Sequence, residues 1–328
     1  MRDLFFSLMH GLGVANILRK YRIKNREISI LLFHRISDES DPLWPPLPIR
    51  TFRLLMEEVY KKACIIPLEN IENVTQYPDK PLVALSFDDG YEDFWENAVP
   101  ILADFKLPAH HNICPNIIDS GIPPWPQVVN KFLQCSVDKT IKLPDGKIYR
   151  KTGKMFNEAD FINICNELYE IDDSLRGHWI DSLVCQIPKS KFERLMTWNQ
   201  LKECVKLGIH IGSHGINHLN MSKIKNQDVL LAEIKDSKKR IFDAIGIEPL
   251  IFAFPNGLYN SLAMDMVKEN GYKIALLCGD KAAFFTKTAS YRDNFHIFSR
   301  INISRANWKE ENLRSLGLHQ KLKRWLPG

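Results

Sequence analysis

Short apolar runs rich in β-branched residues alternate along this chain with segments whose apolar positions recur every three or four residues. The runs are typical of buried strands, and the periodic segments are typical of amphipathic helices. The predicted strands are 28–33, 82–87, 109–114, 209–211, 250–254, 272–277 and 296–303. The predicted helices are 52–62, 92–105, 198–207, 228–245 and 261–270. This alternation predicts βα units and a parallel sheet, either open or closed as a barrel.

A segment spanning 120–196 interrupts the alternation. It opens with the proline-rich run 123–126, and the turn residues at 143–147 predict a hairpin. Two charged helices are predicted at 157–170 and 174–186. We interpret the segment as a mostly helical insertion between two barrel strands, which caps or flanks the site.

The two termini are predicted to lie outside the barrel, which takes 28–310. Residues 1–27 are expected to form an amphipathic helix and a basic linker, because the apolar residues of 4–18 recur at helical spacing. This helix either packs on the domain or lies on a membrane surface as a peripheral contact, since it is too short to span a bilayer. Residues 311–328 are predicted to be a basic C-terminal tail.

Composition narrows the class of protein. The 328 residues are 45% hydrophobic and 25% charged, as in ordinary soluble domains. The net charge of +5 is weak and scattered, so we expect no nucleic-acid partner, and no protein partner is predicted. Seven cysteines without a C-x-x-C pair argue against a disulfide framework and favour a reducing compartment. We expect a cytoplasmic protein, peripheral at the inner membrane surface if the first helix lies there; a secreted or periplasmic protein with a signal peptide is the alternative.

Polar residues that suit catalysis follow three of the predicted strands. Asp88 and Asp89 end one strand, His214 ends another, and Pro255 and Asn256 end a third. Barrel enzymes gather their catalytic groups at the carboxyl ends of parallel strands. We therefore expect these residues, which are far apart in sequence, to converge.

Metal-dependent hydrolysis is the chemistry that these residue types predict. His214 and His218 are four residues apart and share a face if the backbone turns helically. With one carboxylate they form a three-ligand shell that leaves a divalent metal open to water and substrate. Asp88 is then expected to take the proton of the water, and a backbone amide near Asn256 to stabilise the oxyanion.

Four segments resemble signatures of the polysaccharide deacetylase family (carbohydrate esterase family four). Ser86-Phe-Asp-Asp-Gly90 is similar to the first signature, Thr/Ser-Phe-Asp-Asp-Gly, and His214-Gly-Ile-Asn-His218 to the second, His-Ser/Thr-x-x-His. Phe252–Gly257 resembles the third signature, and Leu31–Arg35 resembles the opening strand motif of the bacterial surface-polysaccharide branch. The resemblance runs from about 28 to 303.

The resemblance implies a distorted (β/α)7 barrel that removes acetyl groups from an N-acetylated sugar of a surface polysaccharide or glycan precursor. The family usually uses zinc, and Co²⁺, Ni²⁺ or Fe²⁺ are alternatives. Carried over by position, the metal ligands are Asp89, His214 and His218. Asp88 becomes the catalytic base, and the backbone at Pro255 and Asn256 lies beside the substrate oxyanion.

The chain departs from the family pattern at three places. Gly215 replaces a Ser or Thr whose hydrogen bond steadies the histidine loop. Ala253 replaces an arginine that tunes the base; Arg300 is the candidate to take over this role, with a surface ion pair as the alternative. The late Leu-x-His, whose histidine is the general acid, has no clear match; His296 is the candidate, and a half-exposed strand histidine is the alternative.

Other residues are candidates for contact with the substrate. His34 ends the first strand, where it either lines the floor of the site or packs in the core. Trp125 is our first candidate for stacking on a sugar ring, ahead of Trp44 and Trp95. The polar triplet 110–112 lies on a strand that usually carries Thr-Phe-Phe, so one member faces the cleft or all of them pack.

Three other functions stay open at this point. The same barrel and metal suit the hydrolysis of another small acyl group, N-formyl or O-acetyl. The departures from the family pattern suit a catalytically degenerate glycan-binding protein. Two histidines and one carboxylate also suit a non-haem iron oxygenase, although the second aspartate and the sheet pattern argue against it.

Overall fold

The computed structural model describes residues 2–280, 282–284 and 295–320. Its strands are β1 (Glu27–Phe33), β2 (Cys64–Ile65), β3 (Leu82–Asp88), β4 (Ala109–Ile113), β5 (Thr140–Lys142), β6 (Ile148–Arg150), β7 (Ile209–Ser213), β8 (Ile251–Ala253), β9 (Ile274–Cys278), β10 (Ala283–Phe284) and β11 (His296–Asn302). Seven of them, all parallel, pair in the order β1-β11-β9-β8-β7-β4-β3. Because β1 also pairs with β3, from Ile28 opposite Leu82 to Phe33 opposite Phe87, the barrel is closed. The predicted (β/α)7 barrel is confirmed.

Helices cover the barrel and supply its insertion. They are α1 (Arg2–Gly11), α2 (Val14–Asn25), α3 (Ile49–Lys62), α4 (Val99–Asp104), α5 (Pro115–Ser120), α6 (Trp125–Cys135), α7 (Glu158–Glu170), α8 (Asp173–Val184), α9 (Trp198–Lys206), α10 (Gln227–Leu231), α11 (Ser237–Ile245), α12 (Ser261–Glu269) and α13 (Trp308–Ser315). Two π-helical turns, Phe94–Ala98 and Ala232–Asp236, lead into α4 and α11.

The barrel wall is buried on both faces. Every residue of β1 and of β3 is buried, which explains why these strands are nearly continuous apolar runs in the sequence. Outside the wall, Phe52 of α3 packs edge-on against Phe33 and Phe87, whose rings stack at 4.9 Å. Inside, a short helical turn at Leu68–Asn73 packs Leu68 against apolar side chains of the barrel strands, so it covers the amino end.

The insertion is a small helical unit beside the mouth of the barrel. Helices α6, α7 and α8 and the hairpin β5–β6 share a separate apolar core, which includes Val128, Ile141, Phe161 and Ile180. The hairpin predicted at 143–147 is confirmed by the antiparallel pairing of β5 with β6. The unit reaches the site through α7, as described below.

The N-terminal segment differs from the single helix predicted for it. The helix is interrupted at Gly13, which has a φ of +75°, so α1 and α2 are separate. Ala15 and Leu18 of α2 pack against Leu313 and neighbouring residues of the C-terminal segment. This segment includes α13, which crosses the boundary predicted at 310. Within the described residues no helix combines the length and the apolar character that a membrane span requires.

Candidate metal centre

The two aspartates lie at the carboxyl end of β3. Asp88 is the last residue of the strand, and Asp89 adopts a φ of +77°. Hydrogen bonds from the backbone hold this turn: the Asp89 N–H donates to the Asn112 carbonyl at 3.1 Å, and the Gly90 N–H donates to His111 Nε2 at 3.0 Å. Both carboxylates are buried, and both face the histidine loop that follows β7.

The histidine loop presents two ring nitrogens to Asp89. The Nδ1 of His214 lies 2.7 Å from the Ala253 carbonyl, so it donates its proton there and leaves an Nε2 lone pair for the site. His214 Nε2 and His218 Nε2 each lie 3.5 Å from Asp89 Oδ1. The three donor atoms thus converge as the sequence predicted, from the turn after β3 and the loop after β7.

This cluster fits a divalent metal. Asp89 Oδ1 is buried, and no group in the described part of the chain donates a hydrogen bond to it. Burial and the neighbouring Asp88 raise the pKa of Asp89, while burial and His214 lower the pKa of His218. One carboxylate and two neutral imidazoles are a donor set that binds zinc at catalytic sites. The negative charge of Asp89 has no hydrogen-bond donor at Oδ1 among the described residues. A bound cation would remove the cost of burying Asp89 as an anion.

Arg300 and Asn112 hold Asp88. Its Oδ1 accepts hydrogen bonds from Arg300 Nη1 at 2.7 Å and from the Asn112 side-chain amide at 2.8 Å. Burial opposes the charged form of Asp88, but Arg300 and His214 outweigh it and hold the pKa well below its usual range. Asp88 is therefore a carboxylate. Arg300, on β11, is fully buried, so the alternative of a surface ion pair is wrong.

All three members of the 110–112 triplet are buried, and Asn112 is the one that contacts Asp88. His111 packs instead beside Phe94, with ring centroids 4.3 Å apart, and burial lowers its pKa to about 3. Room for Asn112 comes from Gly212 on the paired strand β7, because a Cβ there would lie 2.1 Å from Asn112 Oδ1. Sequence reasoning named the triplet but did not identify this role for Asn112.

Glu233 steadies the histidine loop and was missed in the sequence. Its Oε2 accepts hydrogen bonds from the Ile216 N–H at 3.0 Å and the Asn217 N–H at 3.1 Å, and its Oε1 accepts from the Asn217 amide at 2.6 Å. A Cβ on Gly215 would come within 2.7 Å of Glu233 Oε2. The hydrogen bond expected from a Ser or Thr at 215 is thus replaced by a buried carboxylate, which requires glycine there.

A cavity of about 370 Å³ opens over the two aspartates. Its walls include His34, Trp44 and Tyr91 from the barrel, Tyr169 from α7 of the insertion, and the exposed Asn256, whose side chain is hydrogen-bonded to Tyr169. His34 contacts Trp44 edge-on at 5.6 Å, and burial lowers the pKa of His34 to about 4. His34 therefore lines the site, as one of its two interpretations predicted, and Pro255 is buried beneath Asn256.

Two predicted site residues lie elsewhere. Trp125 packs edge-on against Tyr169 at 4.8 Å, with Arg176 over its ring, so it supports the wall and does not line the cavity. His296 is the first residue of β11, at the amino end of the barrel, and lines a separate small cavity with Glu69. It is therefore not placed to donate a proton near Asp88, and the alternative of a strand histidine is the correct one.

Comparisons of sequence agree with the motifs over part of the chain. Residues 168–275 match the family model described as polysaccharide deacetylase, a range that holds the histidine loop and the third signature. The putative polysaccharide deacetylase YxkH of Bacillus subtilis is 31% identical over 88 residues, which are 27% of this chain and 31% of that protein. The peptidoglycan-N-acetylglucosamine deacetylase of Bacillus cereus is 37% identical over 76 residues, 23% of this chain and 35% of that protein. The chain thus aligns with about a third of the length of these curated relatives.

Comparisons of structure cover most of the chain and concern the fold. The Streptococcus pyogenes deacetylase PplD, solved in complex with acetate, superposes with a TM-score of 0.59 at 18% identity, covering 88% of this chain and 98% of that one. IcaB from Ammonifex degensii superposes with a TM-score of 0.57 at 13% identity, covering 89% and 98%. Both likenesses extend over the barrel as a whole.

Proposed function

We propose that the protein is a metal-dependent deacetylase acting on an N-acetylated sugar of a bacterial surface polysaccharide or glycan precursor, because residues 168–275 match the polysaccharide deacetylase family model and part of the chain is similar to a peptidoglycan-N-acetylglucosamine deacetylase. The observation that carries the proposal is the convergence of His214 Nε2 and His218 Nε2 on Asp89 Oδ1, with the ionised Asp88 beside them. Zinc is the proposed metal, held by these three residues. When bound, such an ion lowers the pKa of a water molecule and polarises the acyl carbonyl.

Asp88 is the proposed base. Its Oδ1 is occupied by Arg300 and Asn112, which fixes the orientation of the carboxylate. Its Oδ2 lies 3.6 Å from His214 Nε2, on the side of the metal ligands. Oδ2 is therefore the atom placed to accept a proton from the attacking water. The ion pair with Arg300 keeps Asp88 unprotonated at neutral pH, so the base is ready in the resting enzyme.

The walls of the cavity suit the other requirements of amide hydrolysis. The backbone at Asn256 is the proposed donor to the oxyanion. Burial keeps the imidazole of His34 neutral, so His34 is a proposed contact of the substrate, and the proton that Asp88 Oδ2 accepts from the water is proposed to pass to the leaving amine. Trp44 and Tyr169 offer aromatic faces on which a sugar ring stacks.

Acetate release from defined N-acetylglucosamine oligomers, with zinc added, tests the function. Asp88→Asn should abolish release while zinc still binds, and His214→Ala should abolish both release and zinc binding at this site. His178→Ala, on the exposed face of α8, is the matched control. A zinc-loaded protein that cleaves none of the matched N-acetyl, N-formyl and O-acetyl substrates would contradict hydrolysis. If acyl groups are released only from the N-formyl or only from the O-acetyl substrate, that class of substrate replaces the N-acetylated sugar in the proposal.

We also propose that the protein is cytoplasmic and touches the inner membrane surface through α1 and α2. Free thiols on all seven cysteines support the reducing compartment. Support for the contact comes from five exposed apolar side chains, Leu4, Phe5, Leu8, Leu12 and Ile17, together with basic residues of α2. Cosedimentation with anionic phospholipid vesicles should fall sharply in Leu8→Glu/Leu12→Glu and stay unchanged in Leu207→Glu, an exposed leucine elsewhere. Equal sedimentation of both variants would overturn the contact.

A further inference from the structure

A second group of metal-binding side chains lies at the amino end of the barrel, away from the site above. It consists of Glu69 on the turn Leu68–Asn73, His110 on β4 and His210 on β7. We propose that these three residues form a second divalent-metal site, of the zinc type, that fastens this turn to the floor of the barrel. His210 precedes His214 by four residues, about 13 Å along a strand, so the two sites are separate.

Strand register brings the two histidines together. His110 and His210 are direct partners in the parallel pairing of β4 with β7. Side chains alternate along a strand, so His110 lies on the same face as Asn112, which points into the barrel toward Asp88. The two imidazole rings have centroids 5.2 Å apart and planes inclined by 38°. The two imidazole rings are thus tilted relative to each other and not stacked in parallel, which allows a nitrogen of each ring to face the same position.

Glu69 supplies the carboxylate between the two rings. Its Oε2 contacts His110 Nε2 and lies 3.5 Å from His210 Nδ1. All three donor atoms fall within 4.8 Å of one another. Two imidazoles and one carboxylate form the same donor set as the first site, and such a set prefers zinc and related transition metals.

The contacts of His110 fit a cation bound at its Nε2. His110 is 1% exposed, and across the described ranges its Nδ1 has no hydrogen-bond partner. Its Nε2 faces both Glu69 Oε2 and the Leu68 N–H, which lies at 3.2 Å. A single ring nitrogen cannot satisfy both neighbours. If Nε2 accepts the hydrogen bond from the Leu68 N–H, it carries no proton, and its lone pair faces the lone pairs of Glu69 Oε2. A cation that both atoms ligate places positive charge between these lone pairs and brings in His210 as a third ligand, while the Leu68 N–H gives up Nε2 as its acceptor.

The surroundings of Glu69 have room for a water molecule, and those of His210 leave a route for the ion. A cavity of about 40 Å³ borders Glu69, enough for one water molecule, and its walls include Lys273 and His296. The side chain of His210 is 38% exposed, so an ion reaches the cluster without opening the barrel. The turn that carries Glu69 also buries Leu68 against the barrel interior. Metal binding would therefore stabilise the barrel floor.

Zinc counting in a background without the first site tests this proposal. Asp89→Asn/His218→Gln removes two ligands of the first site, and equilibrium dialysis followed by elemental analysis should then find one zinc per chain. Adding His210→Gln should reduce this to none, whereas adding His178→Gln, the exposed control on α8, should leave one. Zinc should also raise the melting temperature of the background variant and of its His178→Gln control, but not of the His210→Gln variant.

The outcomes separate this proposal from the proposed function. A background variant that is folded by circular dichroism but binds no zinc overturns the second site, as does one that keeps its zinc after His210→Gln. Neither result bears on acetate release by the unmodified protein. Conversely, an unmodified protein that releases no acyl group leaves the zinc count of the background variant unchanged.

Discussion

Arg300 Nη1 lies 2.7 Å from Asp88 Oδ1, and both side chains are almost completely removed from solvent. The two residues come from β11 and β3, which are not neighbours in the barrel, so the contact crosses its interior. A buried charge pair of this kind sets the protonation state of Asp88 and links the two strands that flank β1. Removing one partner leaves the other charge buried without compensation.

Arg300→Met should lower both stability and activity. Loss of the partner is expected to cost about 3–5 kcal/mol of unfolding free energy and to reduce acetate release more than about 100-fold, because Asp88 then takes up a proton. Since Arg300 lowers the pKa of Asp88 below its ordinary 3.8, the stabilisation is complete above that pH and is lost as the pH falls through the folded-state pKa. Urea unfolding and rate measurements across pH check this. Arg53→Met, an exposed arginine, is the control, and an unchanged pH profile in Arg300→Met would contradict the role.

Gly212→Ala should disable the site through steric conflict. The added Cβ would lie 2.1 Å from Asn112 Oδ1, so Asn112 must move and release its hydrogen bond to Asp88. We expect a loss of about 1–3 kcal/mol in stability and a fall in kcat with zinc binding retained. Gly177→Ala, in the open interior of α8, should keep full activity and gain about 0.5–1 kcal/mol. A Gly212→Ala protein with normal kcat would show that Asn112 does not position Asp88.

Most of the barrel and the clustering of Asp89, His214 and His218 were predictable, because both leave local signals. Buried strands are continuous apolar runs, and Asp88, Asp89 and His214 follow such runs directly. Glu233 gives no such signal, since a glutamate in a helical pattern looks like any solvated position until the chain folds over it. His296 and Trp125 do not lie at the positions predicted for them. The end of the barrel at which a strand residue lies, and the side chains that pack against a ring, depend on the tertiary structure. The Arg300 contact joins residues 212 apart and could only be suggested by the absence of an arginine at 253.

Glu233→Ala should loosen the histidine loop. It removes three hydrogen bonds and leaves the Ile216 N–H buried without an acceptor, which is expected to cost about 2–4 kcal/mol. Because the loop carries His218, zinc affinity at the first site should fall about 10–100-fold, as for other groups that orient metal ligands. Competition with a chromophoric chelator measures the affinity. Glu203→Ala, an exposed glutamate paired with Lys206, should change neither quantity, and unaltered zinc affinity in Glu233→Ala would refute the role.

The two tryptophans near the insertion should respond differently to alanine substitution. Trp44 lines the cavity, so Trp44→Ala should raise KM for N-acetylated oligosaccharides about 5–100-fold through loss of stacking, with a smaller change in stability. Trp125 packs against Tyr169 and lies under the guanidinium of Arg176. Trp125→Ala should therefore act mainly on stability and lower the melting temperature, because truncation of a packed tryptophan costs about 3–5 kcal/mol of unfolding free energy. Measuring KM well below the melting temperature of each variant separates the effects. If Trp125→Ala raised KM more than Trp44→Ala while staying folded, the sugar would bind against the insertion and not against Trp44.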